Sequence, residues 1–302
     1  MPGRACLDPV KAIVLQITCS IEEVRMRLRL PAPAWKKRNI GDLNIYEAST
    51  MAWLPRIVQG YTTRNGGVSQ QPYDSLNLGG HVGDAPEAVA NNRERIWADL
   101  GFRETRVVVA EQVHGDKVAV VTGPSLTPIP GVDAMVTNVP GLMLAMCYAD
   151  CAPIYIVDPN KRAIGLVHAG WRGVSKHIVR NTIERMKSEY DSSPSNMVVA
   201  VGPCISADSY EVGSEVADLF RDMSIGKASG SALAVQPRNE MSGTYNLDLR
   251  QVIFAECLEA GIRAEYVAVS DEDTYRNKRD FFSHRRDGVT GRNAAYLAMR
   301  TE

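Results

Sequence analysis

The sequence predicts a mixed α/β domain in which two packed sheets are flanked by helices. Short apolar runs typical of buried strands recur along the chain, and segments with helical spacing fall between and after them. The strands outnumber the helices, which fits two sheets better than one doubly wound sheet. The alternation runs almost to the C-terminus without a linker or internal repeat.

Residues 1–40 read as a loosely attached extension. Pro31, Pro33 and the run Trp35-Lys36-Lys37-Arg38 mark a break before the patterned chain, leaving 41–302 as a single domain. Arg56 to Thr63 reads as a strand ending in the turn Arg64-Asn65-Gly66-Gly67. Asp84 is placed to cap a helix with Pro86 in its first turn and Gly101 just past its end. Val107 to Ala110, Val118 to Val121, Leu142 to Cys147, Ile154 to Val157 and Ile164 to Val167 read as buried strands. The last feeds into His168-Ala169-Gly170-Trp171-Arg172-Gly173. Val174, Ile178, Val179, Ile183 and Met186 then recur with near-helical spacing, with His177 inside that helix. Val198 to Val201 is a strand leading into Gly202-Pro203-Cys204, and Leu247 to Ala260 is a helix stopped by Gly261.

The 302 residues are 45% hydrophobic and 23% charged, an ordinary globular composition that excludes collagen-like and largely disordered classes. The net charge of −1 gives no electrostatic footprint for nucleic acid or an anionic membrane. No apolar run approaches the roughly 20 residues that span a bilayer. Ala12-Ile13-Val14-Leu15 is too short an apolar core for a signal peptide and no small-residue cleavage site follows, so a cytoplasmic location is expected. Six cysteines in a chain of this length are too sparse for a disulfide framework, so an informative cysteine is expected to be catalytic or metal-bound.

The chemistry-bearing candidates are few. Of five histidines, His81, His114, His168 and His284 stand in Gly-rich or strand-end contexts. Cys151 follows a carboxylate, in Ala149-Asp150-Cys151, and lies between two strands, so Cys151 and His168 are expected at one end of neighbouring strands. A Cys beside a His serves as nucleophile and base. A Cys with two His can instead hold zinc, leaving the fourth position to water. Spacing leaves both readings open. Arg64, before a Gly-Gly turn, and Arg172, near a helix start, are anion-site candidates. A surface turn and an ion pair are the plainer readings of the same two residues.

Taken together and in order, these segments resemble a known family. Thr62-Thr63-Arg64-Asn65-Gly66-Gly67-Val68-Ser69, Asn77-Leu78 through Asp84, Gln112-Val113-His114-Gly115, Ala149-Asp150-Cys151, His168 through Gly173, Gly202-Pro203-Cys204-Ile205 and Thr290-Gly291-Arg292 match the YfiH-type family. That family is labelled "laccase domain" or multicopper polyphenol oxidoreductase, is also known as peptidoglycan editing factor-like, and is described as purine nucleoside phosphorylases. The resemblance runs from about Trp53 to the C-terminus. It implies a four-layer α/β/β/α sandwich with mixed sheets and a zinc ion on His81, Cys151 and His168. It further implies phosphorolysis of adenosine, inosine, guanosine and methylthioadenosine, with adenosine deamination at the same site. On that reading Cys151, His168, Asp150 and His114 are catalytic, with Asp150 or His114 shuttling protons, and Arg64, Asn77 and Arg172 bind substrate. The partners are purine nucleosides and phosphate, and a monomer or weak homodimer is expected. Two departures stand at the C-terminal rim: Asp273-Thr274 where the family usually has Cys-Thr, and His284 where it has Tyr. Five histidines cannot supply both a blue-copper centre and an oxygen-reducing copper cluster, so a multicopper laccase is excluded by counting. The competing readings are a Cys–His hydrolase or amidase acting on peptidoglycan precursors, and a zinc-stabilised binding protein without turnover.

Overall fold

A computed structural model describes residues 34–223, 234–239 and 243–301. Two six-stranded sheets face each other. The first runs β1 (Trp35–Ile40), β2 (Leu43–Ala48), β3 (Ile57–Thr62), β15 (Asn293–Met299), β7 (Met143–Tyr148) and β4 (Val107–Val109). The second runs β14 (Val267–Val269), β10 (Val198–Val201), β8 (Ala152–Asp158), β9 (Ala163–Ala169), β6 (Ala134–Thr137) and β5 (Val118–Val120). Both are mixed: β4 pairs parallel with β7, and β5 with β6, among otherwise mostly antiparallel neighbours. A three-stranded sheet, β11 (Glu211–Gly213), β13 (Thr244–Leu247) and β12 (Val235–Asn239), stands apart.

Alternation along the central strands builds the layers. Tyr155 and Val157 of β8, and Ile164 and Leu166 of β9, point between the sheets and meet Leu144, Met146 and Leu297. Each fully buried aliphatic side chain there contributes about 1.5–3 kcal/mol. The other face of those strands, Ile154, Ile156, Ala163 and Val167, packs against helices α3 (Ile178–Tyr190) and α5 (Leu249–Glu259). On the far side, Ile96 and Trp97 of α1 (Pro86–Asp99) pack onto Leu43, Ile45, Met143 and Tyr296. The order is helix, sheet, sheet, helix, the expected four-layer sandwich. No helix among the described residues is long and apolar enough to cross a membrane.

Three local expectations need correction. The expected extension lies outside the described residues as far as position 33, but Trp35–Ile40 is strand β1. Its Trp35 is buried against Tyr155 and its Lys36, Lys37 and Arg38 face outward. An edge strand carries such charges readily, and they blunt the open edge. Asp84 does not cap α1: the N-cap is Ala85, without a side-chain bond. Instead its carboxylate accepts from Ser69 Oγ (2.6 Å) and Asn77 Nδ2 (2.8 Å), knitting the preceding loop. The helix expected through His177 is broken there. His177 adopts φ 61°, between α2 (Trp171–Val174) and α3, and its Nδ1 sits 2.6 Å from Glu256 on α5. The expected helix 247–260 forms as Leu249–Glu259, capped by Asp248, which accepts from Arg250 N and Gln251 N.

Candidate metal and substrate site

The site lies where the ends of β8 and β9 meet the loop after β4. Cys151 immediately precedes β8. His168, one residue from the end of β9, pairs across the ladder with Pro153 and shares the inward face of Leu166. His114 arrives from the β4–β5 connection, and two devices fix that loop. Gln112 grips β7 with both ends of its amide, Nε2 donating to Cys147 O and Oε1 accepting from Cys147 N, each at 2.8 Å. Asp133, fully buried at the entry to β6, accepts the backbone N–H groups of Val113 (3.2 Å), His114 (2.9 Å) and Gly115 (2.6 Å). These bonds hold His114 at φ 59°. The same carboxylate sits 2.8 Å from His168 Nδ1.

Ligand atoms of His114, Cys151 and His168 consequently lie within 4.8 Å of one another. The His114 and His168 rings meet edge-on with centroids 4.8 Å apart, and Tyr148 closes the other side of His168 at 5.2 Å. The glycines of the His168–Gly173 segment are required by this crowding. A Cβ on Gly170 would stand 2.9 Å from Cys151 Sγ and 3.3 Å from His114 Cδ2. One on Gly173 would stand 2.7 Å from Gly115 O, inside van der Waals contact with the backbone.

The electrostatics favour a thiolate. Burial alone would push the Cys151 thiol up, but the His168 charge and bonds to His114 and His168 bring it down to about 6. Burial would likewise lower His168, yet Cys151 and Asp133 raise it to about 9. The Asp133 carboxyl works against its own burial too: the His168 bond and charge and the loop N–H groups hold it below its ordinary range. With Nδ1–H given to Asp133, His168 presents Nε2 to the site, the arrangement usual for a metal-bound imidazole. One thiolate and two imidazoles form a donor set suited to a borderline-soft divalent ion with an open position. The triad can hold a metal.

The structure distributes the expected residues unevenly. Cys151, His168 and His114 converge, whereas His81, expected as the third ligand, is not in the group and lies exposed beside it. His114 stands in the group because the Asp133-bound loop delivers it to the strand ends. Asp150, expected as a proton shuttle, has φ 90°, so the chain already turns there. Its two oxygens are occupied by Thr274 Oγ1 (2.8 Å) and Arg285 N (2.7 Å), which fasten the C-terminal rim to the strand end. Asn77 is fully buried. Its Oδ1 accepts from Gly79 N and Arg292 N and its Nδ2 donates to Asp84, so it shapes the loop rather than facing a ligand. Arg64 lies over Phe282 (4.6 Å) with Nε bonded to Asp74 O and Nη2 3.4 Å from the Asp74 carboxylate. Arg172 stacks on Trp171 (4.3 Å) and is exposed. At the departing rim, Asp273 accepts from Ser206 and Ser209 hydroxyls, both at 2.6 Å, and His284 Nδ1 is 2.7 Å from Gly288 O. Asp133 was missed by the sequence reading. Its signal is a carboxylate at the head of the apolar run Ala134-Met135-Val136, where a charge is costly unless it is fully bonded.

Comparison with known proteins identifies the family. The chain is 36% identical over 275 residues to "Purine nucleoside phosphorylase YlmD" of Geobacillus stearothermophilus, covering 86% of this chain and 98% of that one. The crystal structure of YlmD from Geobacillus stearothermophilus superposes with a TM-score of 0.80 at 35% identity, over 90% of this chain and 98% of the other. The Bacillus licheniformis protein YfiH superposes at 0.81 with 31% identity, over 87% and 99%. Residues 58–300 match the model of the family described as multi-copper polyphenol oxidoreductase laccase, and the chain belongs to that family.

Proposed function

We propose that this protein is a zinc-dependent purine nucleoside phosphorylase acting on adenosine, inosine, guanosine and methylthioadenosine, and that it also deaminates adenosine at the same site. The observation that carries the reading is the His114–Cys151–His168 triad backed by Asp133, in a chain similar to proteins named purine nucleoside phosphorylases. In phosphorolysis a phosphate oxygen bonds to the sugar C1′ as the C1′–N9 bond breaks and its electron pair leaves with the purine. A bound zinc would supply Lewis acidity and, for deamination, a hydroxide near neutral pH. His114 Nε2 or Nδ1, Cys151 Sγ and His168 Nε2 would hold it. Asp133, accepting from His168 Nδ1–H, leaves Nε2 as the ring nitrogen that faces the site. Tyr148 and Tyr61, packed edge to face at 5.9 Å, close the site from the apolar core and exclude water behind His168. The exposed side, where Arg172 and His81 stand, is left for substrate. Phosphate-dependent release of hypoxanthine from inosine, abolished by chelation and restored by zinc, is the direct test.

A second reading is favoured by one observation. The lowered Cys151 thiol beside a raised His168 is also what a Cys–His hydrolase or amidase needs for nucleophile and base. Chelation separates the two. A thiolate nucleophile works in metal-free protein, whereas the zinc enzyme does not. Cys151→Ser sharpens the contrast: on the zinc reading it loses metal and activity together, and excess zinc restores part of the activity.

A further inference from the structure

We propose that the phosphate nucleophile is seated on the Nε/Nη2 edge of Arg292, with His81 beside it, rather than on Arg64. This subsite rests on the phosphorylase reading for the identity of its anion.

The argument begins with which donors are spent. Arg292 Nη1 donates to Thr290 O (2.9 Å) and Gly291 O (3.0 Å), which fixes the plane of the guanidinium. Among the described residues Nε and Nη2 have no hydrogen-bond partner, and neither is a buried unpaired atom. Those two nitrogens form one side of the fork, the geometry that binds two oxygens of a phosphate or carboxylate at once. Among the described residues no carboxylate forms an ion pair with Arg292. Asp150 is within Coulombic range but its oxygens belong to Thr274 and Arg285. Burial lowers the Arg292 pKa below its ordinary value, against the opposing pull of Cys147, Cys151 and Asp150. Arg64, by contrast, has spent its Nε and Nη2 on Asp74.

The surroundings are built to bring this cation in. Asn77 Oδ1 accepts the Arg292 backbone N–H at 2.8 Å, and Gly79 is obligatory because a Cβ there would lie 2.7 Å from Arg292 Cγ. Across the same loop, Arg93 binds Leu78 O through Nε and Nη2, and Nη2 stands 3.8 Å from the Cβ position of Gly80. His81 follows in the same loop, exposed and without a hydrogen bond among the described residues. Burial lowers the His81 pKa, and the positive charges of Arg292 and Arg93 act in the same direction. Among the described residues neither Arg292 nor Arg93 forms an ion pair with a carboxylate, so the loop carries two cations that an oxyanion can use.

The test is titration of inorganic phosphate into zinc-loaded protein by calorimetry, alongside steady-state inosine phosphorolysis. Arg292→Gln is expected to raise the phosphate Kd and the phosphate KM together by about 10- to 100-fold, while the inosine KM moves by less than about threefold. Arg292→Lys, a point charge without the fork, falls between them. His81→Gln, at an exposed residue without hydrogen bonds among the described residues, tests the subsite even where the arginine variants fold poorly, and is expected to weaken phosphate about threefold or more. Wild-type phosphate affinity in Arg292→Gln or His81→Gln, or loss of phosphate only in Arg64→Ala, overturns the proposal. Phosphate binding that depends on Arg292 in a protein that releases no hypoxanthine upholds the subsite and overturns the phosphorylase reading instead.

Discussion

Replacing Asp133 by Asn tests how the triad is assembled. The carboxylate takes four donors: Oδ1 accepts from His114 N and faces His168 Nδ1, and Oδ2 accepts from Val113 N and Gly115 N. An amide in the same place offers one acceptor and one donor. If its NH2 replaces Oδ2, two backbone N–H groups lose their acceptor. If it replaces Oδ1, His114 N–H is orphaned and His168 must accept at Nδ1, moving its proton to Nε2 and closing the metal position. Each bond to a charged acceptor is worth about 1.5–3 kcal/mol, so two lost bonds cost about 3–6 kcal/mol. In a domain of this size that lowers Tm by on the order of 10 °C. Loss of the partner that orients a ligating imidazole weakens metal about 10- to 100-fold. Denaturant unfolding of metal-free protein measures the first effect, and zinc competition against a chromophoric chelator measures the second. An Asp133→Asn protein with wild-type midpoint and wild-type zinc affinity would refute the assembly argument.

Gly170→Ala places a methyl 2.9 Å from Cys151 Sγ, and chelator competition is expected to show zinc affinity reduced by at least about tenfold with the fold intact. Asp150→Ala removes the acceptor of Thr274 Oγ1 and Arg285 N, so unfolding stability drops by about 3–6 kcal/mol while zinc content stays unchanged; loss of zinc would return Asp150 to the site. In metal-free protein, alkylation of Cys151 should rise as pH passes about 6, whereas Cys147, whose thiol burial pushes up, stays slow until much higher pH. Relative to unfolded values near 8.5 and 6.5 the thiol is lowered and the imidazole raised. The stability they contribute is therefore lost as pH falls through about 6, where Cys151 gains a proton, and as it rises through about 9, where His168 loses one. A flat metal-free stability profile from pH 5 to 10 would contradict that pair.

The apolar runs identified the central strands because β8 and β9 are buried on both faces and read as continuous hydrophobic stretches. The charged edge strand β1 was not legible, since its outward Lys36, Lys37 and Arg38 look like a linker until Trp35 is seen packed on Tyr155. Within the site, Cys151 and His168 were readable because both flank strands that pair directly. That His114 joins them was not, because Gly-flanked histidines look alike in sequence and only the Asp133 bonds to residues 113–115 carry that loop to the strand ends. Asp133 itself lies 35 residues from His168, too far for any local pattern to join them. The free edge of Arg292 was hidden for a different reason: sequence shows an arginine, but not which of its donors are already spent.

The most direct measurement is zinc content and phosphate-dependent hypoxanthine release from inosine, determined on the same preparations of wild type, His114→Ala and His81→Ala. Wild type and His81→Ala are expected to carry about one zinc per chain, while His114→Ala carries little and loses phosphorolysis. Zinc lost from His81→Ala but kept by His114→Ala, or full phosphorolysis by metal-stripped wild type, would contradict the His114–Cys151–His168 centre.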